Sequence, residues 1–341
     1  MTVDIYRPTP NDTLTTEEFA LYKLIMDYRA ENGLKAIQLS DALTVTAGRH
    51  ATDMRANIWQ ERVELPEGAN LHSWSDAPYY SDHRDPEVMW DAPHRLGTGF
   101  KGNGFEIAVE LSGITSVSAA LAGWKASAAH NAVILNLGIW ESWDWDSIGV
   151  GIDRLSNGRT VMYVWFSDLA DDKTARLVGT ASANTLTGTD LRDHIQAGAG
   201  NDTVLGLNGI DLLKGEGGND SLVGAGGVDL LIGGAGKDTL SGGAGGDKFR
   251  FGAIEGDVIT DFDARDRIIL AGPAFAALGS TVQTDELAFD TAAREEDDHL
   301  IYDQATGRLW FDADGSGMGA ARLLAVLTGG PDLSASDFIL V

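Results

Sequence analysis

Two apolar patterns divide this chain. From Thr15 to Met54 apolar side chains recur at helical spacing, whereas from residue 179 they recur every nine positions among glycines. The first pattern predicts two helices. Thr15-Thr16-Glu17-Glu18 caps one that runs to about Ala30, is ended by Asn32-Gly33, and buries Phe19, Leu21, Tyr22, Leu24, Ile25 and Tyr28. Ser40 caps the other, with Leu43, Val45, Ala47, Ala51 and Met54 inward and His50 and Asp53 near its end. Residues 58–104, rich in Asp, Pro, His and Trp, read as loops, and loops of that length are often functional. The second pattern sets Ile195, Val204, Leu213, Leu222, Leu231, Leu240 and Phe249 in phase with Asp193, Asp202, Asp211, Asp220, Asp229, Asp238 and Asp247. Each apolar residue is the middle of a three-residue strand, and the glycine-rich six between strands turn the chain through angles that side chains resist. Two nonapeptides then make one coil, and the coils stack, because one repeat alone cannot bury its apolar residue.

Around each aspartate the pattern is G-G-x-G-x-D-x-U-x, with U apolar, complete in Gly233-Gly234-Ala235-Gly236-Lys237-Asp238-Thr239-Leu240-Ser241. A flexible glycine-rich linker would not keep such a period. Stacked carboxylates repel unless a cation lies among them. The aspartates, with the carbonyls of Gly200, Gly209, Gly218, Gly227, Gly236 and Gly245, make an oxygen-only shell suited to several calcium ions. The array resembles the RTX family, whose nonapeptides form a calcium-filled parallel β-roll. Two departures fall at its start: Leu191 stands at the fourth position of the second repeat, and Ala197 replaces the first glycine of the third.

After the array, Asp257-Val258-Ile259-Thr260-Asp261-Phe262-Asp263 and Asp266-Arg267-Ile268-Ile269-Leu270 read as strands closing the roll. Asp261, Asp263 and Asp266 either hold one more calcium or form a solvated acidic pair of strands. Gly307–Gly317 predicts a hairpin and a tight turn. An EF-hand is excluded there, since Leu323 occupies the place of its bidentate glutamate. Asp337-Phe338-Ile339-Leu340-Val341 reads either as an uncleaved export signal or as a last edge strand.

The formal net charge of -26 argues against nucleic acid and anionic membrane surfaces as partners. It also makes compaction wait for cations, at roughly the 0.1 to 1 mM calcium affinity of extracellular modules. There is no cysteine, so no disulfide can staple the fold. The opening residues Met1-Thr2-Val3-Asp4-Ile5-Tyr6 lack the basic and apolar regions of a secretory leader, and no transmembrane segment is expected. The RTX resemblance implies a secreted, extracellular chain, possible cell-surface retention included, exported by type I secretion machinery.

In the N-terminal part, Tyr28-Arg29, Asn32-Gly33-Leu34, Ala51-x-Asp53-Met54, His72 and Phe105-Glu106-Ile107-Ala108 come in order before Trp124-Lys125-Ala126-Ser127-Ala128-Ala129-His130. Ser147–Ile152 and Met162–Phe166 follow. Together they resemble the CAP superfamily of SCP-like domains, an α/β fold built as an α-β-α sandwich. The resemblance implies that His72 and His130 face a cleft with Glu106 as acidic partner, and that His83 and His94 rival His72. Two imidazoles and a carboxylate suit zinc. Ser127 departs from the second glutamate of the eukaryotic form. The expected organisation is a CAP-like domain over 1–170, a linker over 171–178, the roll over 179–250 and a β-rich cap with the export signal over 251–341. Three functions follow: a binding module for an extracellular lipid, glycan or protein; a metal-dependent hydrolase using His72, Glu106 and His130; or a structural, adhesive surface protein. No G-x-S-x-G elbow, H-E-x-x-H helix or cysteine nucleophile is present. Trp74, Tyr79, Tyr80, Trp90 and Phe100 in the loops fit ligand stacking or core cover, and Trp140 fits the core.

Overall fold

The computed structural model describes residues 2–112 and 116–341, which form two compact units, Met1–Leu177 and Val178–Val341. Met1, where the leader reading begins, lies outside the described residues.

In the first unit, Thr15 and Glu18 close a reciprocal capping box. The Thr15 hydroxyl accepts from the Glu18 N–H and the Glu18 carboxylate from the Thr15 N–H, which starts helix α1 at Thr16 and lets it run to Glu31. Ser40 accepts from the Leu43 N–H and starts α2 (Asp41–Asp53). Helix α2 continues as a π-helical segment, Met54–Gln60, where the sequence pattern predicts loop from residue 58. Four strands, β1 (Gln38–Leu39), β2 (Phe105–Leu111), β3 (Ser147–Arg154) and β4 (Thr160–Ser167), lie in the order β1-β3-β4-β2. Every residue of β4 is buried, so both faces of this sheet are covered. Helix α2 packs on the face that carries Val161, Tyr163 and Trp165. It can lie that close because β3 has Gly149 and Gly151 beneath it: a Cβ there would sit 2.1 Å from the Leu43 and 2.2 Å from the Ala47 carbonyl carbon. Two one-turn helices, α3 (Glu87–Trp90) and α4 (Ala92–Arg95), interrupt the long loop, and α5 (Val117–Ala126) and α6 (Ala128–Ile134) follow β2.

The second unit is a parallel β-solenoid of about five turns in residues 176–270. One wall holds β6 (Thr185–Thr187), β8 (Thr203–Gly209), β10 (Ser221–Gly227), β12 (Thr239–Gly245) and β14 (Asp257–Ile259). The other holds β5 (Arg176–Thr180), β7 (His194–Ala199), β9 (Leu212–Gly217), β11 (Leu230–Ala235), β13 (Lys248–Phe251) and β15 (Arg267–Leu270). The register places equivalent residues on one another: Leu222 pairs with Val204 and Leu240, and Leu231 with Leu213 and Phe249. These side chains are fully buried, and Ile259 and Ile268 continue the stack past the glycine-rich array. The predicted closing strands are therefore one more coil. Beyond it, β19 (Arg322–Leu327) pairs with β14, and β17 (Leu300–Asp303) and β18 (Arg308–Phe311) extend that sheet in antiparallel fashion. On the other wall β20 (Phe338–Leu340) pairs with β15, so the chain's last residues form an edge strand.

Candidate calcium turns and the N-terminal cavity

The first unit holds a cavity of about 700 Å³. His72, His83 and His130 line it, and Met89, Trp90, Phe105, Val133 and Trp140 give it an apolar wall. Leu137 and Ile139, also lining, are exposed, Ile139 by 81%. Local structure sets each polar group. The Asn70 side chain accepts from the His72 N–H and fixes that loop, while Ser127 caps α6 so that His130 rides on its first turn. His94 stands apart, exposed and paired with Asp91.

Glu106 lies beneath the cavity, on β2 opposite Trp165, with no exposed side-chain surface. Both its oxygens are engaged: Oε1 lies 2.6 Å from His72 Nδ1 and Oε2 lies 2.6 Å from His50 Nδ1. His50, on α2, is stacked between the rings of Trp74 and Tyr163, each 3.9 Å away. Its Nε2 is 3.0 Å from the Ser73 carbonyl oxygen, which can only accept, so Nε2 carries a proton. One proton is then shared between His50 Nδ1 and Glu106. Burial raises the Glu106 carboxyl well above its ordinary range and lowers His50 well below its own, which favours the neutral pair. Oε1 is left as an acceptor for the His72 Nδ1–H, and burial lowers His72 to about 4. His72 is therefore neutral at pH 7, its Nε2 keeping a lone pair.

This corrects the three-ligand expectation. His72, Glu106 and His130 share one cavity, yet Glu106 is occupied by two imidazoles, and among the described residues no three His, Asp or Glu side chains make a metal-ligand set. Two imidazoles fall short of the three protein ligands of a catalytic zinc. The carboxylate that would activate a metal-bound water is likewise engaged and buried, so the hydrolase reading loses its base.

In the second unit the aspartates form two ladders inside the turns. Oδ1 of Asp211, Asp220, Asp229 and Asp247 each accepts, at 2.8 Å, the N–H of the aspartate 18 residues earlier. Asp238 does the same for Asp220. The ladders continue at a spacing of 19 to Asp257 and Asp266, which accept from Asp238 and Asp247. The second oxygen, Oδ2, of Asp202, Asp211, Asp220, Asp229, Asp238 and Asp247 is buried without any hydrogen-bond partner. Burial pushes Asp211 up to about 7 and Asp220 to about 6, and raises Asp229, Asp238 and Asp247.

The family description "RTX calcium-binding nonapeptide repeat (4 copies)" matches residues 178–213 and 214–249. These turns are RTX calcium-binding repeats. Among curated proteins no sequence relative matches. Of solved structures, an outer surface protein from Borrelia burgdorferi is 18% identical over 47% of this chain and 94% of its own, with a TM-score of 0.29. A cysteine-rich secretory protein from Staphylococcus aureus is 13% identical over 45% and 38%, with a TM-score of 0.29. A subunit of the mannuronan C5-epimerase of Azotobacter vinelandii is 28% identical over 47% and 80%, with a TM-score of 0.26. Likenesses at scores this low establish neither fold nor function.

The residues of the RTX turns fit calcium. Beside five of the six unpartnered oxygens, all but that of Asp202, lies a glycine five positions earlier whose missing side chain leaves a cradle. A Cβ built on Gly206, Gly215, Gly224, Gly233 or Gly242 would stand 2.5, 2.2, 2.3, 2.1 or 2.5 Å from Oδ2 of Asp211, Asp220, Asp229, Asp238 or Asp247. The first three cradles are also faced by the carbonyls of Gly224, Gly233 and Gly242, so a carboxylate and a carbonyl oxygen converge on each. Aspartate and glycine carbonyl would hold the ion, which would supply the positive charge that these buried carboxylates lack. The glycines two before each aspartate serve stacking: Gly200, Gly209, Gly218, Gly227, Gly236 and Gly245 all have positive φ, and a Cβ on Gly227 would meet the Gly209 oxygen at 1.5 Å.

Elsewhere the carboxylates are met by protein donors. Asp193 Oδ2 accepts from the Thr189 N–H and hydroxyl. Asp261 accepts from Ser241, Gly242 and Gly243, half-buried Asp263 pairs with Arg265, and Asp266 Oδ2 accepts from the Asp263 N–H. The sequence reading missed His50 and Asp257. A histidine three residues before Asp53 on a buried helix, and the step from 18 to 19, were the available signals.

Proposed function

We propose that the protein is a secreted calcium-binding RTX protein whose N-terminal unit, a CAP/SCP-like domain, binds an extracellular ligand. Type I machinery exports the chain while calcium is scarce, and the roll folds on meeting calcium outside. The observation that carries this reading is the set of six buried, unpartnered aspartate oxygens along the roll, which only a cation or protons can satisfy. The order of the CAP-like segments and the shared cavity of His72 and His130 support the domain reading. The ligand is an apolar or amphiphilic small molecule: the wall is aromatic and aliphatic, and His72 Nε2 and His130 supply the few polar contacts.

The test follows the tryptophans of the cavity. A dansyl-labelled fatty acid added to the calcium-loaded chain should accept energy from Trp90 and Trp140 saturably, and Val133→Trp, which fills the cavity, should abolish the transfer. If no saturable transfer occurs, the ligand-binding reading fails and a structural, adhesive role takes its place.

A further inference from the structure

The turns of the roll are not equivalent. Four features coincide at Asp211, Asp220, Asp229, Asp238 and Asp247: an unpartnered Oδ2, a cradle glycine five residues earlier, a positive φ four residues earlier and a positive-φ glycine two residues earlier. The positive φ does not depend on glycine. It is held by Leu207 (81°), Glu216 (75°) and Ala225 (79°) as well as by Gly234 and Gly243. Left-handed backbone is disfavoured for a side-chain-bearing residue, and such strain persists where the surroundings impose it.

The first coil is built differently. Thr180 and Thr189 stand four residues before Asn184 and Asp193, and neither has positive φ. Branching at Cβ makes threonine resist that region. Their N–H groups turn inward instead: Thr180 N–H donates to Asn184 Oδ1 at 2.7 Å, and Thr189 N–H to Asp193 Oδ2 at 2.6 Å, with both hydroxyls adding a second bond. Asp193 Oδ2 is therefore already taken, and Asn184 carries no charge. Asp202 is intermediate. Its Oδ2 is unpartnered and Gly198 and Gly200 have positive φ, but buried Ala197 stands where the other turns have the cradle glycine. At the far end Asp266 Oδ2 is taken by the Asp263 N–H, and Gly252, the cradle position for Asp257, has no atom within 4 Å of a built Cβ.

The geometry points to five calcium sites, one at each complete turn from Asp211 to Asp247, with the coil of Asn184 and Asp193 closed by its own threonines and the Asp202 turn shut by the Ala197 methyl. This rests on the calcium reading of the repeats. It adds that the array starts metal-free and that a single methyl group separates a sixth site from occupancy.

Native mass spectrometry of the full chain in saturating calcium counts the ions. Five are expected for the natural sequence, six for Ala197→Gly, and four for Asp220→Asn. Asp202→Asn, which needs no backbone change, should leave five. Any other non-zero count for the natural chain, a folded Ala197→Gly that still binds five, or a loss of one ion in Asp202→Asn overturns the assignment. Failure to bind any calcium would instead sink the calcium reading itself.

Discussion

At the scale of single residues, the chemistry of the N-terminal cavity is decided by a proton that no sequence pattern displays. Glu106 and His72 could be singled out from the sequence and do meet in the fold, but the partner that takes the second carboxyl oxygen comes from α2. His50 is 56 residues away from Glu106 in sequence, and the pairing exists because Gly149 and Gly151 let that helix settle on the sheet. Glu106 thus orients a histidine and contacts no solvent. Glu106→Gln keeps a donor toward His50 Nδ1 and an acceptor for the His72 Nδ1–H, so stability should hold, whereas Glu106→Leu leaves the His72 N–H without its buried acceptor and should lose about 1–3 kcal/mol, with His72 leaving its Nδ1–H tautomer. Chemical denaturation and nitrogen-15 NMR of the ring check both, and an unchanged stability in Glu106→Leu would remove Glu106 from this role.

At the scale of elements, the coil was the most readable unit because its period is set by geometry: a strand whose middle residue points inward recurs every nine positions. The last coil was less readable. One added residue, turning the spacing of 18 into 19, carries the ladder from Asp238 to Asp257 and from Asp247 to Asp266 where glycines have ended. The strand-forming middle residue bears most of the coil's apolar burial. Leu222 lies in register between Val204 and Leu240 and is fully buried, so Leu222→Ala leaves a void that neighbouring coils cannot close. Calcium-loaded protein should lose about 2–5 kcal/mol in urea. Val223→Ala, on the partly exposed outer side of the same strand, should lose far less; equal losses would mean that the stacked core is not what holds the coil.

For the whole molecule, the net charge of -26 and the raised aspartates give folding a pH dependence whose sign depends on calcium. Asp211 at about 7, Asp220 at about 6 and Asp257 at about 7 hold protons in the metal-free roll that the unfolded chain, with carboxyls near 3.9, releases earlier. Between about pH 4 and 7 the folded state thus binds more protons than the unfolded one. The stability these groups contribute is present in acid and lost as pH rises through 6 to 7, the reverse of an ordinary salt-bridged aspartate. Calcium displaces those protons, so binding strengthens as pH rises over the same window and restores the roll where the metal-free form is weakest. Hydrogen exchange in peptides from residues 203–249 separates the two regimes. With chelator, protection should fall from pH 5 to pH 7.5; with calcium it should be retained at pH 7.5, with a midpoint shifting to higher calcium as pH drops. Protection that grows with pH in chelator would show that the ladders are stabilised by something other than protons, and the coupling of charge and calcium would lose its physical basis.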